Sequence, residues 1–522
     1  MPAQPAPGCP MQHASALPGG TRRLYRLCVH LALGSSIWGY NIGVLSSVLV
    51  HPGWRAALGD PSPSTRGFIT GAYYLGTLAS YVLVAHPLAD RLGRRRAAML
   101  GTLVLCWGVV MMASAEGGRA LVVLLWGRFI CGVGVGVVST SVPLHQSEVS
   151  PAHQRGKFVT LNHVGFVAGL AAGLWVGYGM TFWTASEAGR YWGWRVSMLV
   201  QLVPAIVFVT GLPFFPESPR WLIQQGQTER ASRVLFSLRQ GTTAPDLIAR
   251  ELDAMSSAVE SSPRPPSGSF LAPSLFLFRS PSLWARLWRA FLLQFMAQMC
   301  GAAAIKYYLP TLLRALGLEY RLALMAGAVE MTAKLGMTVV EMGLIDRFGR
   351  TTCLAAGSIM MGFAMMINGL LPLVYPGNVS SLADAVCVAF IFIYAMGYSL
   401  GLGPAAWVYS SEIFPTNLRA RGLNFAASGG SLGSILVSQI WPVGNARLGS
   451  GVYFVFMGIN WLCVPIIYSL YPETKGLPLE DMDALFAKDH TSRSHAHATP
   501  DHTSGGNIGA RRGEEEPLLV RR

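Results

Sequence analysis

Charge is what this 522-residue chain has least of: Asp, Glu, Lys and Arg together make up 13% of it, while 52% is hydrophobic. A water-soluble chain of this length would fold as three or four domains with charged surfaces, and so thin a supply excludes that class. Cysteine is sparse and unpatterned. Cys28, Cys106, Cys131, Cys300, Cys353, Cys387 and Cys463 fall in or beside apolar stretches, without the loop spacing of a disulfide or zinc framework, and read as small packing residues. No nucleophile stands with a base and no metal-ligand cluster occurs, so no catalytic residue, metal or cofactor is expected and the chain is not read as an enzyme. The N-terminus up to Gly20 is rich in Pro, Ala and Gly and lacks the charged-then-apolar order of a cleaved signal. The first apolar span is therefore expected to stay as an anchor.

Long apolar runs are abundant, as at 199–215, 360–374 and 386–409. About 20 such residues cross a hydrocarbon core roughly 30 Å thick. Grouping the runs between polar loops predicts spans near 24–50, 67–88, 97–115, 120–143, 158–180 and 195–215, then 288–313, 321–345, 352–374, 384–410, 420–442 and 451–471. The expected fold class is an all-α membrane protein of twelve transmembrane helices. The expected segments are a disordered cytosolic N-terminus (1–23), a six-helix half (24–215), a cytosolic linker (216–287), a second six-helix half (288–471) and a cytosolic tail (472–522). Within the linker, Ala231, Val234, Leu235, Leu238, Leu247 and Leu252 have helical spacing and predict amphipathic helices at the membrane surface.

The net charge of +14 might suggest nucleic acid, but the basic residues sit in every second loop. Arg22, Arg23 and Arg26 precede the first span, Arg91, Arg94, Arg95 and Arg96 follow the second, Arg155 and Lys157 the fourth, and Arg347 and Arg350 the eighth. The intervening loops are poorer, holding for example Arg55 and Arg66, Arg119, then Arg314 and Arg321. The positive-inside rule places both termini in the cytosol and leaves no nucleic-acid partner; the lipid bilayer is the partner. The oligomeric state is open.

Internal repetition is explicit. Asp90-Arg91-Leu92-Gly93-Arg94 recurs as Asp346-Arg347-Phe348-Gly349-Arg350, and Ser147-Glu148-Val149-Ser150-Pro151 with Arg155 recurs as Ser411-Glu412-Ile413-Phe414-Pro415 with Arg419. Pro216-Glu217-Ser218-Pro219-Arg220 closes the first half as Pro472-Glu473-Thr474-Lys475-Gly476 closes the second. Two homologous halves explain all three pairs.

These motifs, with Gly127-Arg128-Phe129 opening the fourth span, resemble the signature set of the sugar porter family of the major facilitator superfamily over roughly residues 34–486. The wording of 85–90 and 143–148 resembles fungal members, among them sugar and quinate-type transporters. The resemblance implies alternating access around a site near the midplane, with small-molecule substrate and no covalent chemistry. Asp90, Arg91, Arg94, Glu148, Arg155, Asp346, Arg347, Arg350, Glu412 and Arg419 are expected to form gating ion pairs; as solvated surface charges, each pair would be worth only about 0–1 kcal/mol. Where the family has a glycine at the start of the first loop motif this chain has His86, expected to loosen close helix packing.

The substrate cavity implied by the resemblance involves Gln294, Gln298, Tyr307 and Tyr308 of the seventh span and Trp407 of the tenth. Amides suit hydroxylated ligands because each offers two donors and an acceptor. Glucose-binding members carry polar residues where this chain has Ala297, Ala303, His163, Lys334, Gly430 and Ser431. Charge takes their place: Lys306, Glu330, Lys334 and Glu341, each costing roughly 2.5–3.5 kcal/mol or more if it faced lipid. Glu330 and Lys334, four residues apart, can neutralise each other. Alternatively Lys334, with Lys306 and His163, forms a cationic pocket for a sugar acid or polyol acid such as quinate or a uronate.

In proton-coupled members the first span carries an aspartate within the motif here written Gly39-Tyr40-Asn41-Ile42-Gly43, facing an arginine that corresponds to Arg128. Asn41 cannot titrate, which implies facilitated diffusion of a monosaccharide, polyol or sugar acid. The alternatives are a proton-coupled symporter of a sugar acid or quinate-like carboxylate, with His163 or Glu330 as proton carrier, and a non-transporting nutrient sensor. Asn378-Val379-Ser380 is a glycosylation sequon, and the tail holds His490, His495, His497 and His502 at irregular spacing and an acidic dileucine pattern at 514–519. The expected location is the plasma membrane, with a vacuolar or endosomal membrane as the alternative.

Overall fold

The computed structural model describes residues 19–151, 155–241, 243–260, 281–377, 379–414 and 418–475. The sequon at Asn378, the dileucine pattern and the tail histidines lie outside the described residues. Every regular element among the described residues is helical. The first half comprises Gly19–Val48, Pro63–Leu92, Arg94–Ala113, Ala120–Val149, Arg155–Met180 and the pair Glu187–Leu199 and Leu202–Gly211. The second comprises Pro281–Met299 with Ala302–Ala315, Tyr320–Phe348, Arg350–Val374, Ser381–Leu400 with Pro404–Glu412, Arg419–Leu448 and Gly451–Leu470. They are called the first to twelfth helices below.

Nine of them, among the described residues, are long and apolar enough to cross a membrane. The first, seventh and eleventh fall short because they are interior helices rich in polar groups. Asn41, Gln294, Ser431, Ser434 and Ser438 are all buried. Lipid offers these groups no hydrogen bond, so they turn toward protein while large apolar side chains such as Trp107 and Phe214 face outward.

Packing repeats with the sequence. The first helix packs on the fifth as the seventh packs on the eleventh, the third on the fourth as the ninth on the tenth, and the third on the sixth as the ninth on the twelfth. The halves meet where the second helix packs on the eleventh and the fifth on the eighth, and where the outer segment of the seventh touches the first.

Three spans read as continuous are broken. The seventh breaks at Gly301, whose φ of 105° suits glycine; a Cβ there would come 3.0 Å from Met365 Cε. The tenth breaks at 401–403 and the sixth at 200–201. Conversely, the fourth and eleventh helices run on past Pro143 and Pro442, where the hydropathic spans stop. A proline withholds one backbone donor, and each thirty-residue helix absorbs that loss.

The linker forms Pro219–Gln224, Thr228–Arg239 and Pro245–Glu260. Buried Leu222, Ile223 and Ala231 pack with Val234, Leu252 and Met255. Arg239 grips both oxygens of Glu251 at 2.9 and 3.1 Å and donates to Val149 O at 3.0 Å, tying the linker to the end of the fourth helix.

Candidate functional site

The interior of the first half centres on a buried guanidinium. Arg128 reaches across from the fourth helix, and its Nη1 donates to Asn41 Oδ1 at 2.9 Å. Asn41 Nδ2 in turn donates to Gln201 Oε1 at 3.0 Å, in the break of the sixth helix. The Arg128 guanidinium lies 4.5 Å from the Tyr73 ring centroid, and its Nη2 is 3.5 Å from Tyr307 Oη of the seventh helix. An arginine 1% exposed normally has a carboxylate facing it. Here an amide oxygen and aromatic faces do that work, and the positive charge stays uncompensated within this cluster.

The second half holds a different cluster. Lys306 on the outer segment of the seventh helix points its Nζ at Gln298 Oε1, 3.4 Å away across the Gly301 break. That ammonium stands 5.1 Å from the Tyr398 ring centroid, and Lys334 of the eighth helix stands 4.7 Å from the same ring. The two ammonium groups are thus no more than about 10 Å apart. At an effective dielectric constant of 20 that spacing costs about 1.7 kcal/mol or more in mutual repulsion. His163 of the fifth helix stands with its ring 5.8 Å from that of Phe166. Glu330 lies one turn from Lys334 with 0% exposure, yet neither of its oxygens has a hydrogen-bond partner. Among the described residues no ion pair joins Glu330 to Lys334, which prefers the ring face.

The other expected ligands scatter. Gln294 is buried and its Nε2 donates to Ser410 Oγ at 3.5 Å. Tyr307 belongs to the Arg128 cluster. Tyr308 donates from Oη to Ser438 O at 3.2 Å and lies 3.3 Å from Thr70 Oγ1, which makes it part of the contact that joins the halves at one end of the molecule. Trp407 is half-buried on Pro404–Glu412, away from any hydrogen bond recorded among the described residues. Tyr398, Tyr73 and Gln201 escaped the sequence reading because an aromatic or amide in an apolar span looks like packing.

The charged loops lie at the opposite end. Arg94, 3% exposed, binds Glu148 through Nε and Nη2, each at 3.0 Å, and sends Nη1 to Asp90 at 3.2 Å. His86 Nδ1 sits 3.0 Å from the other Asp90 oxygen, so the residue expected to loosen packing instead joins the cluster. Asp90 also meets Arg421 of the eleventh helix at 3.7 Å, an ion pair between halves. Thr140 donates to Asn424 Oδ1 at 2.9 Å, and Thr77 and Ser431 hydroxyls are 2.8 Å apart, adding further bridges. In the second half Arg350 binds Glu412 at 3.0 Å. Arg91 and Arg347 are exposed, and the side chains of Arg155, Asp346 and Arg419 lie outside the described residues.

The closing motifs of each half act on these loops. Gly93 and Gly349, at φ 92° and 93°, turn the chain into the third and ninth helices. The Glu217 carboxylate accepts from Arg95 N, and Glu473 accepts from Arg350 N and Thr351 N. A carboxylate at a helix N-terminus satisfies orphan donors and opposes the helix dipole. Partial burial works against ionisation of Glu473, but its backbone donors outweigh that and hold the carboxyl below the usual range.

With halves joined at both ends, the lysine and arginine clusters face the seam between them. The profile of a family described as "Sugar (and other) transporter" matches residues 27–486. A probable quinate permease of Aspergillus niger is 29% identical over 487 residues, covering 91% of this chain and 90% of that one. A quinate permease of Neurospora terricola is 28% identical over 485 residues, covering 89% of each. Among solved structures, the xylose transporter XylE of E. coli in a partially occluded inward-open conformation superposes with a TM-score of 0.74 at 22% identity, covering 88% of this chain and 100% of that one. The proton:xylose symporter XylE bound to 6-bromo-6-deoxy-D-glucose gives 0.74 at 23%, covering 90% and 100%.

Proposed function

The chain belongs to the sugar transporter family, and from that premise we propose that its cargo is a carboxylate-bearing cyclic polyol or sugar acid of the quinate type. The observation that carries this reading is the pair of buried lysines, Lys306 and Lys334, poised over one tyrosine ring with no ion-pair partner within 4 Å among the described residues. An anion between them is attracted by both and outweighs their mutual repulsion. The quinate permeases among the relatives support the same class of cargo. Gln298, Tyr398 and His163 then serve hydroxyl groups and the ring, while Gln294, Tyr307 and Trp407 shape the surrounding wall.

Alternating access follows from contacts at both ends. For cargo to leave at the loop-motif end, Asp90 must part from Arg421 and Thr140 from Asn424; at the other end Tyr308 must part from Thr70 and Ser438. The pairs Arg94–Glu148 and Arg350–Glu412 stay within their own halves and hold each gate in shape. The loop-motif end is assigned to the cytosol on its excess of arginine, which sets the linker and both termini on that side of, in this reading, the plasma membrane.

Transport is by facilitated diffusion. Asn41 Oδ1 accepts from Arg128 at 2.9 Å, and its amide has no proton to give or take at any physiological pH. One observation favours a second reading, proton symport: Glu330 is a buried carboxyl with both oxygens unpartnered. Uptake of labelled quinate and of neutral hexoses into protein-containing liposomes, with and without a pH gradient, separates these readings. Acid uptake that stops at equilibrium supports the carrier; accumulation that tracks the proton gradient selects symport. Uptake no faster than in protein-free vesicles points to a sensor.

A further inference from the structure

At the end opposite the loop motifs, a cleft of about 280 Å³ opens between the halves, lined by Leu49, Val50, Arg55, Arg66, Thr311 and Arg314 among others. Its setting is unusual for this chain, because the loops on this side are the poor ones in basic residues. Three of the few arginines they hold converge here. Arg55 comes from the short helix Pro52–Ala57, Arg66 from the start of the second helix, and Arg314 from the end of the seventh.

One acidic residue restrains two of them. Asp60 has a φ of 53°, the single positive value at a non-glycine among the described residues, in a conformation that L side chains adopt at a cost. That turn aims Oδ1 at Arg55 Nε and Nη2, each at 2.7 Å, and at Arg66 Nη2 at 3.4 Å. Arg66 Nε donates to Pro61 O at 2.9 Å. Among the described residues no protein acceptor faces the Nη1 groups of either arginine, and Arg314 stands 5.8 Å from the Tyr320 ring with no acidic partner. Three guanidinium charges against one carboxylate leave the lining two positive charges in excess. One turn on from Arg66, Thr70 donates to Arg66 O at 2.9 Å and its hydroxyl lies 3.3 Å from that of Tyr308, which closes the seam.

We propose that this cleft is an anion-binding antechamber, a second site at which a small carboxylate is held before the Tyr308 contact opens. It rests on the reading of the cargo as an acid, but its occupancy is separable from transport. A funnel of one sign raises the local concentration of opposite charge and loses that advantage in salt. The same guanidinium chemistry suits a phosphate of an anionic lipid headgroup, so the bilayer must be controlled.

The test uses the full chain in phosphatidylcholine vesicles. Phenylglyoxal labelling of Arg314, mapped by mass spectrometry, is followed with added quinate, with a neutral polyol, or with sodium chloride at equal ionic strength. Quinate should slow labelling at Arg314 in both the wild type and Lys334→Gln, where the central site is disabled. In uptake assays, Arg314→Gln should raise the KM for quinate roughly threefold at low ionic strength, which is what one unit charge about 7 Å from the ligand is worth in water. The effect should vanish near 0.2 M salt. No protection by quinate beyond that of chloride overturns the antechamber, as does protection that disappears in Lys334→Gln. Protection seen only when the vesicles contain an anionic lipid assigns the cleft to a headgroup and equally overturns it. A wild type that shows protection but no quinate uptake refutes the cargo reading and leaves the antechamber standing.

Discussion

Replacing Lys334 by glutamine removes one of the two ammonium groups while keeping a polar side chain of similar length. A carboxylate about 4 Å from an ammonium group gains about 4 kcal/mol at an effective dielectric constant of 20. The lysine–lysine repulsion, about 1.7 kcal/mol at the widest spacing the geometry allows, is the same in the free and the loaded carrier and cancels from this difference. The loss is therefore about 4 kcal/mol, which corresponds to a roughly thousandfold fall in kcat/KM for the acid. Lys334→Arg, which keeps the charge, should retain most of that activity. The assay is the initial rate of labelled quinate uptake into liposomes, with thermal unfolding in detergent as the control for folding. Unchanged quinate kinetics in Lys334→Gln would refute the reasoning, and so would equal losses for quinate and for a neutral competitor.

Three further outcomes follow from other parts of the structure. Asn41→Asp places a titratable carboxyl against Arg128, 2.9 Å from the present amide contact, and should make the uptake rate depend on the pH difference across the vesicle wall; pH-independent uptake would sink the account of Asn41. Arg421→Gln removes the ion pair to Asp90 and should increase labelling of an engineered cysteine placed beside Thr140 from the loop-motif side; unaltered labelling means the pair is no gate. Glu473→Gln weakens the cap on the ninth helix by about 0.3–1 kcal/mol. Because folding depresses this carboxyl, its contribution is present above the ordinary carboxylate pKa and fades as pH falls through the depressed value. The gap in thermal stability between wild type and variant should therefore close on acidification; a constant gap contradicts the cap.

The twelve-helix architecture was legible because it rests on hydropathy and on motifs repeated at matching loops, both of which survive in one dimension. Helix breaks were not. Gly301 stands in the stretch that the resemblance marks for binding, yet only its backbone angle reveals that the seventh helix turns there to bring Gln298 and Lys306 together. Pro143 and Pro442 misled in the other direction, since a proline signals a helix end only when the rest of the helix is too short to carry the missing bond. At the site, the lysines announced themselves as charges in an apolar span, but their shared partner did not. Tyr398 lies in the tenth helix among residues that read as lipid-facing or core. The gate differed for a similar reason: Arg421 carries no sign in the repeated motif that it reaches Asp90 of the other half, and only the packing of the second helix on the eleventh brings the two together.

The central claim is that the seam between the halves selects for negative charge. Its most direct test is competition at a fixed low concentration of labelled quinate, using matched unlabelled compounds that differ only in a carboxylate, such as glucuronate against glucose. The account predicts that glucuronate inhibits uptake at concentrations where glucose has no effect, and that Lys334→Gln abolishes this preference. Equal inhibition by the two sugars, or stronger inhibition by glucose, would contradict it.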